Sequence, residues 1–146
     1  MKKNENTEVV EVFDPNLAKS RLKTWFSDLT EAQLSSLLIY LVELNKFNKS
    51  LNLVSTSSLK NAEAVHIADC VYAAQYIFPL LDEKQPLYDF GSGNGCPGLI
   101  FAALFPQKKI ILVDRDQRKM EFCKHTAQAM GITNIEILLK GVEELP

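Results

Sequence analysis

The segment YDFGSGNGCPG, residues 88–98, decides the fold of this chain. It joins a short apolar run, 87–90, which we predict to be a strand, to a second apolar run, 98–105, which we predict to be a helix. Glycines at such a junction let the chain turn sharply and let a ligand touch backbone that a Cβ would hold away. Ligands of parallel α/β sheets bind at the carboxyl ends of strands. The segment therefore predicts a ligand-binding turn.

Downstream of this turn, predicted strands and helices continue to alternate. Apolar segments at 110–113 and 135–139 predict two further strands, and the segment between them, 115–130, predicts a helix that Gly131 ends. Strand, helix, strand, helix, strand is typical of a right-handed parallel sheet. We therefore expect an α/β fold over residues 83–146.

Upstream of the turn the pattern is helical. Asp14 and Pro15 predict the start of a first helix, and Thr30 with Gln33 predicts a capping box at the start of a second. A turn-rich segment follows at 48–58, and we predict a third helix over 62–78, with Val65, Ala68, Tyr72 and Tyr76 near one face. Residues 14–82 are thus an amino-terminal helical region, and the polar residues 1–13 are predicted to be a disordered tail.

The glycine loop fits two ligand frames. Gly93, Gly95 and Gly98 fit GxGxxG, in which the amino terminus of a helix cradles a pyrophosphate. Asp89 and Gly91 complete the other frame, DxGxGxG. In that frame a carboxylate would repel a pyrophosphate but attract the ammonium of an amino acid, and S-adenosylmethionine has that ammonium and no phosphate. The second frame favours S-adenosylmethionine, and an NAD(P)-dependent oxidoreductase stays open as an alternative.

Asp114 ends the second predicted strand, 23 residues beyond Gly91. An acid at about this distance binds ribose hydroxyls in nucleotide-cofactor sites. Both candidate cofactors have such a ribose, so Asp114 supports the site without choosing between them. We assign Asp114 to cofactor binding.

Composition narrows the class of protein further. The chain has 146 residues, 47% apolar and 23% charged, which is typical of one globular core. No apolar run approaches the length of about 20 residues that spans a bilayer, and no secretory signal is recognisable, so we expect a cytoplasmic protein without membrane association. Three cysteines and two histidines lack metal-ligand spacing, so we expect no metal site.

Charge is unevenly distributed along the chain. The net charge is −2, yet residues 15–60 carry six Lys or Arg against three Asp or Glu, and residues 108–125 do the same. Each block is therefore net +3. Two weak basic patches are compatible with an RNA contact and with ordinary solvated helix faces, so a non-catalytic RNA-binding or assembly module also stays open.

Five motifs together carry a family resemblance. They are NKSLNL at 48–53, HIAD at 66–69, DFGSGNGCPG at 89–98, Arg118-Lys119 after the acidic strand end, and VEE at 142–144. Over about residues 34–145 the sequence resembles the bacterial family of ribosomal small-subunit RNA guanine-N7 methyltransferases, also called glucose-inhibited division protein B. The resemblance implies S-adenosylmethionine as cofactor, guanine N7 of 16S ribosomal RNA as target, and a Rossmann-like methyltransferase sheet.

The resemblance also implies roles for single residues. Gly91 and the backbone around Cys96 would line the cofactor site, and Val142 and Glu143 would lie against the adenine. Cys96 departs from the larger apolar residue usual in the family. His66 and Asp69 form an i, i+3 pair that we expect to hydrogen-bond locally or to brace the glycine loop. Because guanine N7 already presents a lone pair, no catalytic base is required, and we assign no catalytic residue.

The extent of the sheet gives a further expectation. The resemblance implies a sheet of seven strands. Residues 83–146 hold the first three of them and are thus the first half of a methyltransferase domain. The first strand would then have one unpaired, apolar edge. Exposed edges recruit other strands. We expect the 146-residue chain alone to self-associate or to be marginally folded, and to be inactive.

Overall fold

The structure, a computed structural model, describes residues 13–146, and helices precede a parallel sheet. Residues 1–12, most of the predicted tail, lie outside the described residues, and Phe13 packs against the core. Within residues 13–146 no helix combines the length and the apolar character needed to cross a membrane.

Two capped helices open the described chain, as predicted. Helix α1 spans Pro15–Trp25, and the Asp14 carboxylate accepts from the first free backbone N–H groups of that helix. Helix α2 spans Glu31–Leu51, and Thr30 and Gln33 form the predicted capping box. Both starts are local interactions within four residues, which is why the sequence predicts them well.

The segment predicted to be turn-rich is partly helical. Helix α2 continues to Leu51, and a short helix α3 spans Thr56–Lys60. The turn between them is held by Asn48, whose side chain donates to the Val54 carbonyl and accepts from the Val54 N–H. Asn52 ends α2 with a left-handed φ of 49°. The two asparagines of the NKSLNL motif therefore shape the chain here.

The third predicted helix is broken. It consists of a π-helical turn, Glu63–Ala68, followed by α4, Asp69–Ile77, and a 3₁₀ turn, Phe78–Leu80. Of the four residues predicted on one face Ala68 is buried, whereas Val65, Tyr72 and Tyr76 are exposed, because a second set of apolar residues at helical spacing faces the core. The buried face is instead formed by Ile67, Cys70, Val71 and Ala74.

The sheet is parallel, with the strand order β1-β2-β3. The strands are β1 (Leu87–Phe90), β2 (Ile110–Asp114) and β3 (Ile135–Leu139), linked by α5 (Gly98–Leu104) and α6 (Gln117–Ala129). A final 3₁₀ turn spans Val142–Glu144. The α/β fold and its three strands are confirmed. Helix α6 begins two residues later than predicted because Asp116 caps it.

Within residues 13–146, strand β1 lies at one edge of the sheet and pairs with β2 alone. Tyr88 and Phe90 on this strand are 43% and 54% exposed, and their rings stack with centroids 5.7 Å apart. This is the unpaired apolar edge that we expected. Self-association through it stays a prediction.

One buried cluster joins the helices to the sheet. It runs from Leu22 on α1 through Leu37 on α2 to Leu112 on β2. Ser36 on α2 donates to the Met130 carbonyl just after α6, and Gln33 donates to the Leu104 carbonyl at the end of α5. Helix α2 is thereby fixed against both crossover helices, and this places its middle turns under the glycine loop.

Candidate functional site

The glycine loop connects β1 to α5 at the carboxyl end of the sheet, where ligands of this fold class bind. Gly91 and Gly93 have φ values of +71° and +50°, a region that side chains with a Cβ rarely adopt. A Cβ added at Gly91 would meet no atom within 4 Å, and one at Gly93 would meet only the Gly91 carbonyl at 3.7 Å. These two glycines therefore present bare backbone to open space.

The other glycines of the loop serve packing. A Cβ at Gly95 would overlap the Leu99 side chain and lie 3.3 Å from the Cys123 sulfur. A Cβ at Gly98 would overlap Leu112 and lie 2.6 Å from Asp89 Oδ2. The predicted cofactor-binding residue Gly95 thus faces the protein interior, and of the loop glycines Gly91 and Gly93 offer a ligand surface.

Asp114 holds the loop in place from the end of β2. Its Oδ2 accepts from the Gly93 N–H at 2.9 Å, and its Oδ1 accepts from the Asp116 N–H at 2.9 Å. Burial raises the pKa of Asp114, but the Asp116 and Gly93 N–H groups and the charge of Lys119 outweigh burial, and the pKa is lowered. Each carboxylate oxygen keeps a lone pair for a further donor. Asp114 is therefore an ionised acceptor touching the predicted cofactor loop.

Asp89, the acid at the end of β1, binds the start of α5. Its Oδ2 accepts from the Gly98 N–H at 3.0 Å. Burial raises the pKa of Asp89, the Gly98 N–H and Ser92 hydroxyl act against this, and the negative charge of Asp114 raises it further. Two carboxylates that repel each other across one loop make the crevice favourable for a cation.

Nearly all backbone donors of the loop are already used. Among the described residues the N–H groups of 91, 92, 93, 95, 96 and 98 each have a partner within the protein. The N–H of Asn94 has none and remains for a ligand. A pyrophosphate needs several free N–H groups at the start of the helix. In this loop the Asp89 carboxylate occupies the first of them, which counts against the NAD(P) frame.

Ser92 is a site residue that sequence reasoning missed. Its hydroxyl donates to the Asp89 carbonyl at 2.7 Å and accepts from the Val113 N–H at 3.0 Å, and the residue is 1% exposed. The hydroxyl therefore bridges β1 and β2 where the two strands begin to diverge. Serine in a glycine-rich loop is common, so no signal in the sequence distinguishes this role.

Removing the Ser92 hydroxyl should destabilise the fold. Ser92→Ala removes both hydrogen bonds of the hydroxyl, to the Asp89 carbonyl and from the Val113 N–H, and we expect this to cost about 1 to 3 kcal/mol. Urea unfolding followed by circular dichroism measures this loss. Ser57→Ala, at an exposed serine of α3, is the matched control and should change the free energy of unfolding by less than about 0.5 kcal/mol. Equal stability of the two variants would contradict the bridge.

Tyr40 on α2 supports the loop from below and was also missed. Its hydroxyl donates to the Asn94 carbonyl at 3.1 Å and accepts from the Cys96 thiol at 3.0 Å. Tyr40 is fully buried, and burial raises its pKa. The contact joins residues 54 positions apart in the chain, so only the folded structure reveals it.

Cys96 and Cys123 flank the loop as neutral thiols. The neighbouring Cys70 thiol and burial raise the pKa of Cys96, and burial raises the pKa of Cys123 to about 12. The Cys123 sulfur lies 3.5 Å from the Gly93 carbonyl. Since thiolates, not thiols, are nucleophiles, neither residue suits covalent catalysis. Contact of the Cys96 backbone with a cofactor stays a prediction.

Val142 and Glu143 lie in the 3₁₀ turn after β3, and both are exposed. The end of β3 is joined to the end of β2 because the Lys140 N–H donates to the Asp114 carbonyl at 3.1 Å. The structure therefore places this turn at the carboxyl end of the sheet, as it does the glycine loop. Their contact with an adenine stays a prediction.

His66 and Asp69 do not form the predicted pair. Neither side chain has a hydrogen bond to the other or to the loop among the residues that the structure describes, and His66 Nε2 is buried without a partner. Burial lowers the pKa of His66, and the Asp69 charge acts against this. His66 lies in the π turn, and Asp69 begins α4.

Fold and site together define a class. A parallel sheet, a DxGxGxG loop between its first strand and the following helix, and an acid at the end of the second strand that holds the loop make a Rossmann-like methyltransferase fold. Over residues 33–146 the chain matches the family model GidB, rRNA small subunit methyltransferase G.

Curated relatives agree with this match. The chain is similar to ribosomal RNA small subunit methyltransferase G 3 of Bdellovibrio bacteriovorus, 40% identical over 86% of the chain and 57% of the relative. It is 34% identical to ribosomal RNA small subunit methyltransferase G of Hydrogenovibrio crunogenus, over 75% of the chain and 48% of the relative. The protein of that name from Francisella tularensis subsp. tularensis is 30% identical over 89% and 63%.

The chain belongs to the rRNA small subunit methyltransferase G family. It spans about half to two thirds of the length of these relatives.

Proposed function

We propose that the protein transfers a methyl group from S-adenosylmethionine to guanine N7 of small-subunit ribosomal RNA in the bacterial cytoplasm. The observation that carries the cofactor part is the loop between Asp89 and Asp114, which has two carboxylates and one unused backbone donor. Membership of the family carries the target part. The whole protein, rather than this chain alone, is expected to have the activity.

The residues of the loop fit this cofactor. Bound S-adenosylmethionine would supply a methyl group on a positively charged sulfur. The ionised Asp114 suits the ribose hydroxyls, and Asp89 keeps Oδ1 for the ammonium of the methionine part. The Asn94 N–H suits the methionine carboxylate. Bare backbone at Gly91 and Gly93 would allow close contact.

The chemistry places modest demands on side chains. Guanine N7 carries an unprotonated lone pair, so no residue has to remove a proton before attack. The protein has to align N7 with the methyl carbon and the sulfur and to exclude water. A site built from backbone, two carboxylates and buried thiols matches these demands, and we assign no catalytic residue.

Methyl transfer is tested with radiolabelled S-adenosylmethionine and small ribosomal subunits lacking the modification. Label in the RNA supports the proposal, and label in protein or free metabolites only would overturn it. Calorimetry on the 146-residue chain tests the cofactor separately. Binding of S-adenosylhomocysteine but not NADH is expected, and the reverse result would favour an oxidoreductase. RNA binding without any cofactor effect would favour a non-catalytic RNA-binding module.

Cofactor affinity should depend on pH through Asp89. Its pKa is raised in the free protein, and only the ionised carboxylate attracts the ligand ammonium. Affinity should therefore increase as the pH rises through this raised pKa, with proton release on binding, and then level off. Asp114 has a lowered pKa and stays ionised over this range. Calorimetry with S-adenosylhomocysteine in buffers of different ionisation enthalpy measures the released proton.

Asp89→Asn is the control for this pH dependence. Its amide oxygen can still accept from the Gly98 N–H, so the start of α5 should be kept. The variant should bind more weakly and without a pH step in the acid range. A step of equal size in both proteins would assign the titration to another group.

A further inference from the structure

We infer that the exposed side chains at the junction of α2 and α6 form a docking surface for the phosphate backbone of the RNA. We call this surface the α2–α6 rim and define it by Lys46, Lys49 and Arg118. The inference rests on the proposed function because it assumes that RNA is the substrate. It adds where the RNA is held and which residues hold it.

The first step is that the fold brings the end of the first basic block beside the helix of the second. Helices α2 and α6 run antiparallel, since Glu43 contacts His125, Phe47 contacts Phe122, and Arg118 contacts Ser50. The carboxyl end of α2 therefore lies beside the amino end of α6. Lys49 precedes Ser50, whose carbonyl accepts from the Arg118 guanidinium at 3.0 Å, so Lys49 lies one residue from this contact.

The second step is that the cations point outward while most nearby acids are engaged within the protein. Lys49 and Arg118 are exposed. Asp114 and Asp116 accept from backbone N–H groups, and the 13%-exposed Glu43 side chain binds His125 at 2.8 Å. Lys46 shares Glu43 at 3.8 Å and is 63% exposed, and on α6 Glu121 is an exposed acid. The rim therefore presents Lys46, Lys49 and Arg118 to the solvent, with Glu121 as an exposed acid nearby.

The third step is that the rim has spare donors. Among the described residues Lys49 has no partner, and Arg118 uses one guanidinium nitrogen on Ser50. A guanidinium has five N–H donors, and this geometry suits phosphate oxygens. In the NKSLNL motif the two asparagines shape the turn, whereas Lys49 contributes nothing to the interior. Phosphate binding gives this lysine a role.

The fourth step is the position of the rim. Arg118 lies in the first turn of α6, four residues after Asp114, whose carboxylate holds the glycine loop. The rim thus lies beside the carboxyl ends of the strands, where the cofactor crevice opens. RNA whose backbone lies on the rim would have its bases within reach of that crevice. Lys108 and Lys109, which also belong to the second basic block, precede β2 and therefore lie at the opposite, amino end of the strands.

The test uses the 146-residue chain and a fluorescein-labelled fragment of small-subunit ribosomal RNA, with anisotropy measured between 50 and 200 mM KCl. Each lost phosphate contact reduces the slope of log affinity against log salt by about 1. At 0.1 M salt this corresponds to an affinity that is about tenfold weaker. Lys49→Glu and Arg118→Glu should each show this loss. Lys84→Glu is the matched control, because Lys84 is exposed before the amino end of β1 and its reversal changes the net charge equally.

Two further measurements separate charge from folding and the rim from the cofactor site. Arg118→Lys keeps the charge while losing the fork geometry, so its salt slope should stay near that of the unchanged chain. S-adenosylhomocysteine binding should be unaltered in all four variants. If the RNA binds with the same slope in Lys49→Glu, Arg118→Glu and Lys84→Glu, or if the unchanged chain does not bind the RNA, the rim is wrong. If S-adenosylhomocysteine does not bind while the rim variants still bind the RNA more weakly than the unchanged chain, the proposed methyltransferase function fails and the rim inference stands.

Discussion

Replacing Asp114 with alanine is expected to weaken binding of S-adenosylhomocysteine by about 1.5 to 3 kcal/mol, or roughly 10- to 150-fold. Two losses add in this variant. The cofactor ribose loses its ionised acceptor, and the Gly93 N–H loses the carboxylate oxygen that holds it at 2.9 Å. The loop then becomes free to move just where the ligand would touch it. Isothermal calorimetry at pH 7 measures the change.

Asp116→Ala is the control for Asp114→Ala. Asp116 caps α6 by accepting from the Lys119 N–H, so its loss should cost about 1 kcal/mol of stability while leaving cofactor affinity close to normal. Asp114→Asn should lie between, because its amide has one accepting oxygen instead of two. Normal affinity in Asp114→Ala would mean that the cofactor ribose binds elsewhere.

Two glycine substitutions should both destabilise the fold but should differ in how strongly they weaken cofactor binding. In Gly98→Ala the new Cβ would overlap the fully buried Leu112 and lie 2.6 Å from Asp89 Oδ2, so we expect a loss of about 1 to 3 kcal/mol in stability. In Gly91→Ala the new Cβ meets open space, and the expected loss is the backbone strain of about 1 to 2 kcal/mol at a φ of +71°. That Cβ would nevertheless enter the ligand space and should weaken cofactor binding more.

Urea unfolding and calorimetry on both glycine variants give the comparison. Each variant serves as the control for the other, because both add the same methyl group to the same loop. Affinity should be corrected for the folded fraction before comparison. If Gly91→Ala binds S-adenosylhomocysteine as well as the unchanged chain, Gly91 does not face the ligand.

Much of the fold is predictable because its determinants are local. The capping box of Thr30 and Gln33 and the strand-to-helix turn at 88–98 each depend on residues close together in the chain. The π turn at Glu63–Ala68 is different. Its hydrogen bonds span five residues instead of four, and no residue type marks this difference in the sequence. Tyr72 and Tyr76 are misplaced for another reason, because the smaller residues Cys70, Val71 and Ala74, also at helical spacing, form the buried face.

The candidate site divides in the same way. Asp89, Gly91 and Asp114 are recognisable from motif spacing, and the structure joins them at one loop. Tyr40 and Ser92 are not recognisable, because a tyrosine on an apolar helix face and a serine between glycines have no distinctive pattern. Their roles depend on hydrogen bonds between residues distant in the chain. The inward orientation of Gly95 likewise depends on Leu99 and Cys123 packing against it.

The two thiols beside the loop make its motion measurable. Cys96 contacts the Tyr40 hydroxyl on one side, and Cys123 contacts the Gly93 carbonyl on the other. A thiol reagent reacts with exposed thiolate, so modification of either cysteine requires a transient opening, as amide hydrogen exchange does. The alkylation rate of each cysteine therefore measures how often its own side of the loop opens. A ligand that closes the crevice should slow alkylation of both cysteines, and the cysteine that is slowed more marks the side of the loop that the ligand stabilises more.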